Sequence, residues 1–194
     1  MSEVGRRGIL LVISGPSGVG KSTVCRRLVD RLGAFLSVSA TTRPPREGEV
    51  EGRDYIFMSR NKFDELIERG GFLEYAEVYG GNRYGTLAEP VEKHLSAGRV
   101  VILEIEIEGT CQVVRRYPEA VTIFILAPSS RDQKDRLAGR RTESQEAMRE
   151  RLAKADREIH HARETGVYRY FVVNDTVEET VENIIRIVRE NEQA

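Results

Sequence analysis

Residues 15–22 read "GPSGVGKS", the phosphate-loop (P-loop) pattern GxxxxGK[ST]. Before it lies "GILLVIS", Gly8 to Ser14, a continuous apolar run of the kind found in a strand buried on both faces. After it, Lys21 to about Leu32 follows a helical pattern. Strand, glycine loop and helix in that order is the context the pattern requires, and it argues against a glycine turn that merely starts a helix. Glycines let successive backbone N–H groups curl around phosphate oxygens, and the helix N-terminus adds its partial positive charge. The cradle would comprise Gly15, Pro16, Ser17, Gly18, Val19 and Gly20, continuing into Lys21, Ser22 and Thr23. Lys21 would reach the β- and γ-phosphates and the Ser22 hydroxyl would ligate Mg²⁺. The loop thus predicts a nucleoside triphosphate with Mg²⁺ as its ion. It leaves open what receives the phosphate, since GTPases, motor ATPases and small-molecule kinases share it.

Further strands are expected at Phe35–Ser39, Phe72–Tyr79, Val100–Ile105, Val121–Leu126 and Tyr170–Val173. Helices are expected over Ser59–Arg69, from near Pro90 to Gly98, from near Gly109, over Ser144–Thr165, and after the capping box Thr176/Glu179. "YGGNRYG" after the third strand reads as turn chemistry. Buried strands alternating with helices predict an α/β fold, a P-loop core whose parallel five-stranded sheet is flanked by helices. The more hairpin-like region 35–97 predicts a small inserted lobe, and the arginine-dense stretch near 129–150 a mobile lid. The core would then be 7–34, 98–128 and 165–193 within one domain spanning 7–188.

The 194 residues are 40% hydrophobic and 31% charged, with a formal net charge of -1. That balance disfavours a general polyanion binder, so no nucleic-acid partner is expected and any anion site must be local. No apolar run reaches the ~18 residues of a membrane span, so neither a membrane partner nor a membrane location is expected. Cys25 and Cys111 lie far apart and form no CxxC pair, which fits thiols in a reducing, cytoplasmic setting. His94, His160 and His161 lack metal-ligand spacing and read as surface groups.

"SVSATTRPPREGEVEGRDY", Ser37 to Tyr55, matches neither periodicity. Arg43 and Arg46 flank Pro44-Pro45, which stiffen the backbone and lower the entropy cost of presenting two guanidinium forks. Such forks suit the oxygens of one phosphate monoester, and Tyr55 can add a hydroxyl donor. A solvated charged loop is the plainer reading, but it leaves the prolines unexplained.

Together with "GPSGVGKST", this segment and "FLEYAEVYG", "RYGT", "ILEIEIEG" and "VVND" occur in the order and spacing of guanylate kinases, which the chain resembles from about Gly8 to its last helix. The resemblance implies phosphoryl transfer from MgATP to GMP (or dGMP), giving ADP and GDP, and makes the inserted lobe the GMP-binding one. Residue by residue, it implies that Arg43, Arg46, Tyr55 and Tyr84 hold the GMP phosphate, and that Glu74 faces guanine with Ser39, Thr86 and Glu104 completing the base pocket. Guanine offers N1–H and N2–H₂ beside its O6 acceptor, so an ionised carboxylate accepts two hydrogen bonds while hydroxyls serve O6. Arg136, Arg140 and Arg151 match the lid arginines that would close over the transferring phosphoryl with Lys21 and Arg43, and Asn174 would lie near the adenine edge. Arg149 and Arg157 read as salt-bridged surface.

The chain departs from the family pattern at several positions. Glu106 stands where Asp is usual, at a carboxylate that would orient hydrated Mg²⁺, and Glu108 replaces Gln. Arg141 replaces a lid glycine, Gly81 reads as a one-residue insertion, Arg83 replaces a tyrosine, and Tyr75 is a mild change. Two other readings are a kinase for a different monophosphate or a ribose phosphate, and a non-catalytic guanylate-kinase-like binding module. The guanine carboxylates oppose the first, and the intact Gly20, Lys21 and Ser22 oppose the second.

Overall fold

The computed structural model describes residues 7–78, 80–138 and 145–192. Five strands form a wholly parallel sheet: β1 (Leu10–Ser14), β2 (Phe35–Leu36), β7 (Val101–Glu104), β8 (Val121–Leu126) and β9 (Tyr170–Val173), in the order β2-β7-β1-β8-β9. β1 is central and every one of its residues is buried, which is why its sequence is uniformly apolar up to Ser14. Alternate residues face opposite sides. Leu11 and Ile13 join Ile123, Ile125, Val24, Leu28 and Ile184 beneath α1 (Lys21–Leu32) and α7 (Val177–Glu192). Leu10 and Val12 join Leu103, Val91, Leu95 and Val113 beneath α3 (Ala88–Ser96) and α4 (Ile107–Arg116). A smaller cluster sets Phe124 and Tyr168 against Ala162 of α6 (Gln145–Thr165). α5 (Ser130–Ala138) follows β8.

A second sheet rises from the carboxyl end of this core, ordered β4-β3-β6-β5 from β3 (Ala40–Thr41), β4 (Ile56–Phe57), β5 (Phe72–Val78) and β6 (Asn82–Leu87). Its hydrophobic centre stacks Phe63, from α2 (Arg60–Glu68), on Phe72 with ring centroids 4.3 Å apart. Ser59 caps α2 by accepting the Lys62 N–H at 3.3 Å, as its position before the apolar stripe leads one to expect.

Several expected boundaries shift. The strand expected over Phe35–Ser39 ends at Leu36, and the chain then crosses to the second sheet at Ala40. Asn82 to Gly85, read as part of a turn, lies in β6, where the Arg83 backbone pairs with Thr42 and the turn itself is confined to fewer residues. The helix expected from near Gly109 begins at Ile107, with Glu106 at its cap. Of the region expected as an inserted lobe, β2 pairs with β7, and α3 packs on the core. Tyr79, Ser144 and residue 193, at the ends of expected segments, lie outside the described residues. At the start of α7, the Glu179 N–H donates to the Thr176 hydroxyl at 3.3 Å, and that hydroxyl meets the Glu179 carboxylate at 2.8 Å. Among the described residues no helix is long and apolar enough to cross a membrane.

Candidate active site

The glycine loop turns sharply between β1 and α1 because Gly18 and Gly20 adopt φ of 85° and 91°, left-handed values that favour glycine. A side chain at Gly20 would also meet the Asn174 amide nitrogen at 2.7 Å. Lys21 bends back over the loop, donating from Nζ to the carbonyls of Gly15 (2.5 Å) and Pro16 (3.1 Å). The Ser22 hydroxyl donates to Glu104 Oε1 at 2.7 Å. Glu104, at the end of β7, also lines the cleft shared with Ser39 and Tyr55. Glu106, exposed two residues on, completes a set of hard oxygen donors at the first turn of α1. Hydroxyl and carboxylate oxygens suit Mg²⁺, which takes few protein ligands and keeps phosphates and water for the rest. No cluster of three or more His, Cys, Asp or Glu side chains able to hold a metal occurs among the described residues.

An open cleft of about 800 Å³ separates this loop from the second sheet. Lys21, Ser22 and Glu106 line it from the core, and Ser39, Glu49 and Tyr55 from the far side. Its volume is that of a small-ligand site.

On the far side, Arg43 is buried and heavily engaged. Its Nη1 and Nη2 grip the Glu49 carboxylate side by side at 2.8 Å each, Nε donates to the Tyr84 hydroxyl at 3.1 Å, and Nη1 also reaches the Pro44 carbonyl at 2.8 Å. The guanidinium also lies 5.1 Å from the Tyr55 ring centre, within cation–π range. The fork bonds to Glu49 raise the Arg43 pKa further above its already high value. The same bonds, with the Arg46 backbone N–H at 2.7 Å, pull Glu49 down to about 2. Arg46 is exposed. Tyr55 sits edge-on to Tyr84 at 5.7 Å, and burial raises its phenol pKa. The structure thus brings Arg43, Tyr55 and Tyr84 into one cluster.

Glu74 of β5 is buried, and Oε1 accepts the Thr86 hydroxyl of β6 at 2.6 Å. Burial raises its pKa, partly offset by hydrogen bonds from Thr86. Gly109, in the first turn of α4, abuts this carboxylate so closely that a Cβ there would lie 2.5 Å from Oε2. Three residues along the helix, Gln112 holds the neighbouring backbone of β5 by accepting the Tyr75 N–H (3.2 Å) and donating to the Tyr75 carbonyl (2.9 Å).

Two of the expected lid arginines are described. Arg136 on α5 donates to the Asp175 carbonyl at 3.1 Å. Arg151 is half-buried on α6, two turns before Glu158 and so on the same helix face. Glu158 is close enough to Lys21 and Glu106 to sense both charges; burial and then the Glu106 carboxylate raise its pKa. Arg140 and Arg141 lie outside the described residues. Asn174, expected at the adenine edge, is 2% exposed. Its Nδ2 donates to the Val19 carbonyl at 2.7 Å while Oδ1 accepts the Thr180 hydroxyl at 2.9 Å.

Of the substituted positions, Arg83 has a clear role, since its guanidinium bridges Asp64 of α2 and Glu77 of β5. Glu108 is exposed, as are Tyr75, His160 and His161; His94 stacks on Phe35 at 3.9 Å.

Sequence reasoning did not single out Glu49, Gly109, Gln112, Gln133 or Glu158. Glu49 lies within the arginine segment and Gly109 closes "EIEIEG", so their neighbourhoods were visible. Their partners, 6 and 35 residues away, were not. A buried chain of hydroxyls, Ser14 to Thr110 at 3.1 Å and Tyr168 to Thr110 at 3.0 Å, also ties the end of β1 to α4 without any local signature.

The family described as Guanylate kinase matches residues 7–191. A guanylate kinase of Rubrobacter xylanophilus is 51% identical over 185 residues, covering 95% of this chain and 95% of its own. One of Thermus thermophilus is 49% identical over 184 residues, 95% of this chain and 81% of its own. The crystal structure of guanylate kinase from Anaplasma phagocytophilum superposes with a TM-score of 0.78 at 34% identity, covering 99% of this chain and 90% of that one. With a match running from the strand before the P-loop to the final helix, the chain belongs to the guanylate kinase family.

Proposed function

We propose that this chain transfers the γ-phosphoryl group of ATP to GMP, forming ADP and GDP. The observation that carries this reading is the single cleft lined on one side by Lys21 and Ser22 and on the other by Ser39, Glu49 and Tyr55. A donor site and an acceptor site sharing one cleft are what in-line transfer between two bound phosphates needs.

In this reading the sheet between Ala40 and Leu87 is the acceptor lobe, and α5 with the start of α6 is the lid. The backbone N–H groups of residues 17–20 cradle the ATP phosphates, and Lys21 exchanges its two carbonyl contacts for phosphate oxygens. Arg43, Arg46, Tyr55 and Tyr84 hold the GMP phosphate. Glu49, Tyr84 and Pro44 hold Arg43 in place through its other N–H groups, so the phosphate takes the remaining Nη2 N–H or displaces Glu49. Glu74 accepts the guanine N1–H and N2–H₂, while Thr86 and Ser39 supply hydroxyls. Adenine would place an acceptor against the carboxylate, a mismatch of about 1–3 kcal/mol per unpaired group in a dry pocket. Ser22, with Glu104 and Glu106, would hold Mg²⁺ and its waters. When bound, that ion neutralises charge between the phosphates. Arg136, Arg140 and Arg151 supply cations from the lid side. The acceptor is already a phosphate oxygen, so no strong general base is required and positioning with charge neutralisation lowers the barrier.

The test is an ADP-release assay with MgATP and GMP, dGMP, AMP, UMP or ribose bisphosphate as acceptor. GMP or dGMP is expected to give the highest kcat/KM. AMP or a ribose phosphate preferred over both would overturn the assignment, and no turnover with any acceptor would favour a binding module.

A further inference from the structure

A P-loop binds phosphate only if its N–H groups face inward, and nothing in the glycines themselves enforces this. In a trans peptide the carbonyl points opposite to the N–H of the next residue. An inward N–H therefore implies an outward carbonyl, which must find a donor if it is buried. Two side-chain amides from distant elements meet two such carbonyls. Gln133 of α5 donates from Nε2 to the Ser17 carbonyl at 2.9 Å. Asn174, just after β9, donates from Nδ2 to the Val19 carbonyl at 2.7 Å. The peptides gripped are those before Gly18 and Gly20, the two loop glycines with φ near 90° and hence the least restrained by their own side chains. Both amides are buried, at 4% and 2% exposure, so neither is a casual surface contact. Asn174 is itself oriented by Thr180. Gln133 sits on the helix that, one turn later, fastens Arg136 to the Asp175 carbonyl.

We infer that Gln133 is a positioning residue for ATP binding: together with Asn174 it holds the loop peptides from behind, so that the Gly18 and Gly20 N–H groups face the phosphates. Gln133 touches no substrate in this scheme. Its effect is on the donor nucleotide alone, and it makes the orientation of α5 and the shape of the phosphate cradle one linked property. The inference rests on the P-loop being the ATP site.

The test titrates the β,γ-imido analogue of ATP with Mg²⁺, and separately GMP, into the wild-type protein and two variants. Gln133→Leu keeps the buried volume and removes the donor. Its Kd for the analogue is expected to rise about tenfold, equivalent to about 1.4 kcal/mol, with GMP affinity within about twofold of wild type. Gln133→Glu keeps the shape but opposes a carboxylate oxygen to the Ser17 carbonyl. A protonated carboxyl can donate again, so the variant-to-wild-type ratio of Kd should be large at about pH 8 and shrink towards one at about pH 5.5. A merely structural role predicts no such pH-dependent rescue. Unchanged analogue affinity in a folded Gln133→Leu protein overturns the inference. If that variant does not fold, a pH-independent ratio for Gln133→Glu does so instead. Failure of the wild-type protein to bind the analogue would refute the ATP-site reading itself.

Discussion

Replacing Gly109 by alanine adds one methyl group to α4, and helix propensity alone makes the change favourable by up to about 1 kcal/mol. The contact with Glu74 outweighs it. The new Cβ would stand 2.5 Å from Oε2 and 3.0 Å from the carboxyl carbon of Glu74. The first distance lies about 1 Å inside an ordinary van der Waals separation. Glu74 cannot simply turn away, because Oε1 is held by the Thr86 hydroxyl at 2.6 Å in a buried setting. Either that bond breaks, at about 1.5–3 kcal/mol for a hydrogen bond to a charged group, or α4 shifts and moves the carboxylate with it. Both outcomes misplace the group proposed to read guanine. In steady-state kinetics the Gly109→Ala enzyme is expected to lose about 10- to 100-fold in kcat/KM for GMP, with the KM for ATP within about twofold. Thermal unfolding measured alongside separates a misplaced carboxylate from a collapsed fold. An enzyme that keeps its wild-type kcat/KM for GMP would refute the idea that this close approach shapes the base pocket.

Other outcomes follow from the same geometry. Burial raises the Glu74 pKa, so GMP binding should weaken as pH falls through a value above the usual carboxylate range. A pH profile of kcat/KM for GMP checks this, and Glu74→Gln should both remove that limb and raise KM for GMP more than for ATP. Lys21→Ala should lower kcat by about two to three orders of magnitude, because a preorganised cation facing the transferring phosphoryl is lost; an unaltered single-turnover rate contradicts the mechanism. Glu49 has its pKa depressed by Arg43, so its contribution to stability is complete above about 4.5 and disappears as pH falls towards about 2. The difference in Tm between wild type and Glu49→Gln should shrink across that window, and a constant difference would count against the ion pair.

Much of the architecture was legible because its signals are local. The apolar run Leu10–Ser14, the glycine loop and the helix after it could be ordered from periodicity and turn chemistry alone, and β1 is indeed buried along its whole length. The capping pair Thr176/Glu179 was legible for the same reason. What escaped were contacts set by tertiary packing. Nothing near Gln133 in an arginine-rich helix marks it as the residue that reaches Ser17, 116 positions earlier. Nothing in "YGGNRYG" reveals that Thr41 and Thr42 supply the partner edge that turns Asn82–Gly85 into strand. Site residues on one short stretch, such as Arg43 and Tyr55, could be grouped by composition. Glu104 could not be placed that way, since its hydroxyl partner at Ser22 lies 82 residues away.

The grip of Gln112 on Tyr75 makes α4 a rigid connecting rod. One end of that rod begins at Glu106, beside the phosphate loop, while its flank carries Gly109 against Glu74. Glu106 and Gly109 share the first turn of this helix, so a shift of that turn moves both together. Mutations that improve acceptance of a different base by moving this helix should therefore disturb Glu106, the carboxylate proposed to face Mg²⁺, as well, whereas changes confined to β6 should leave it alone.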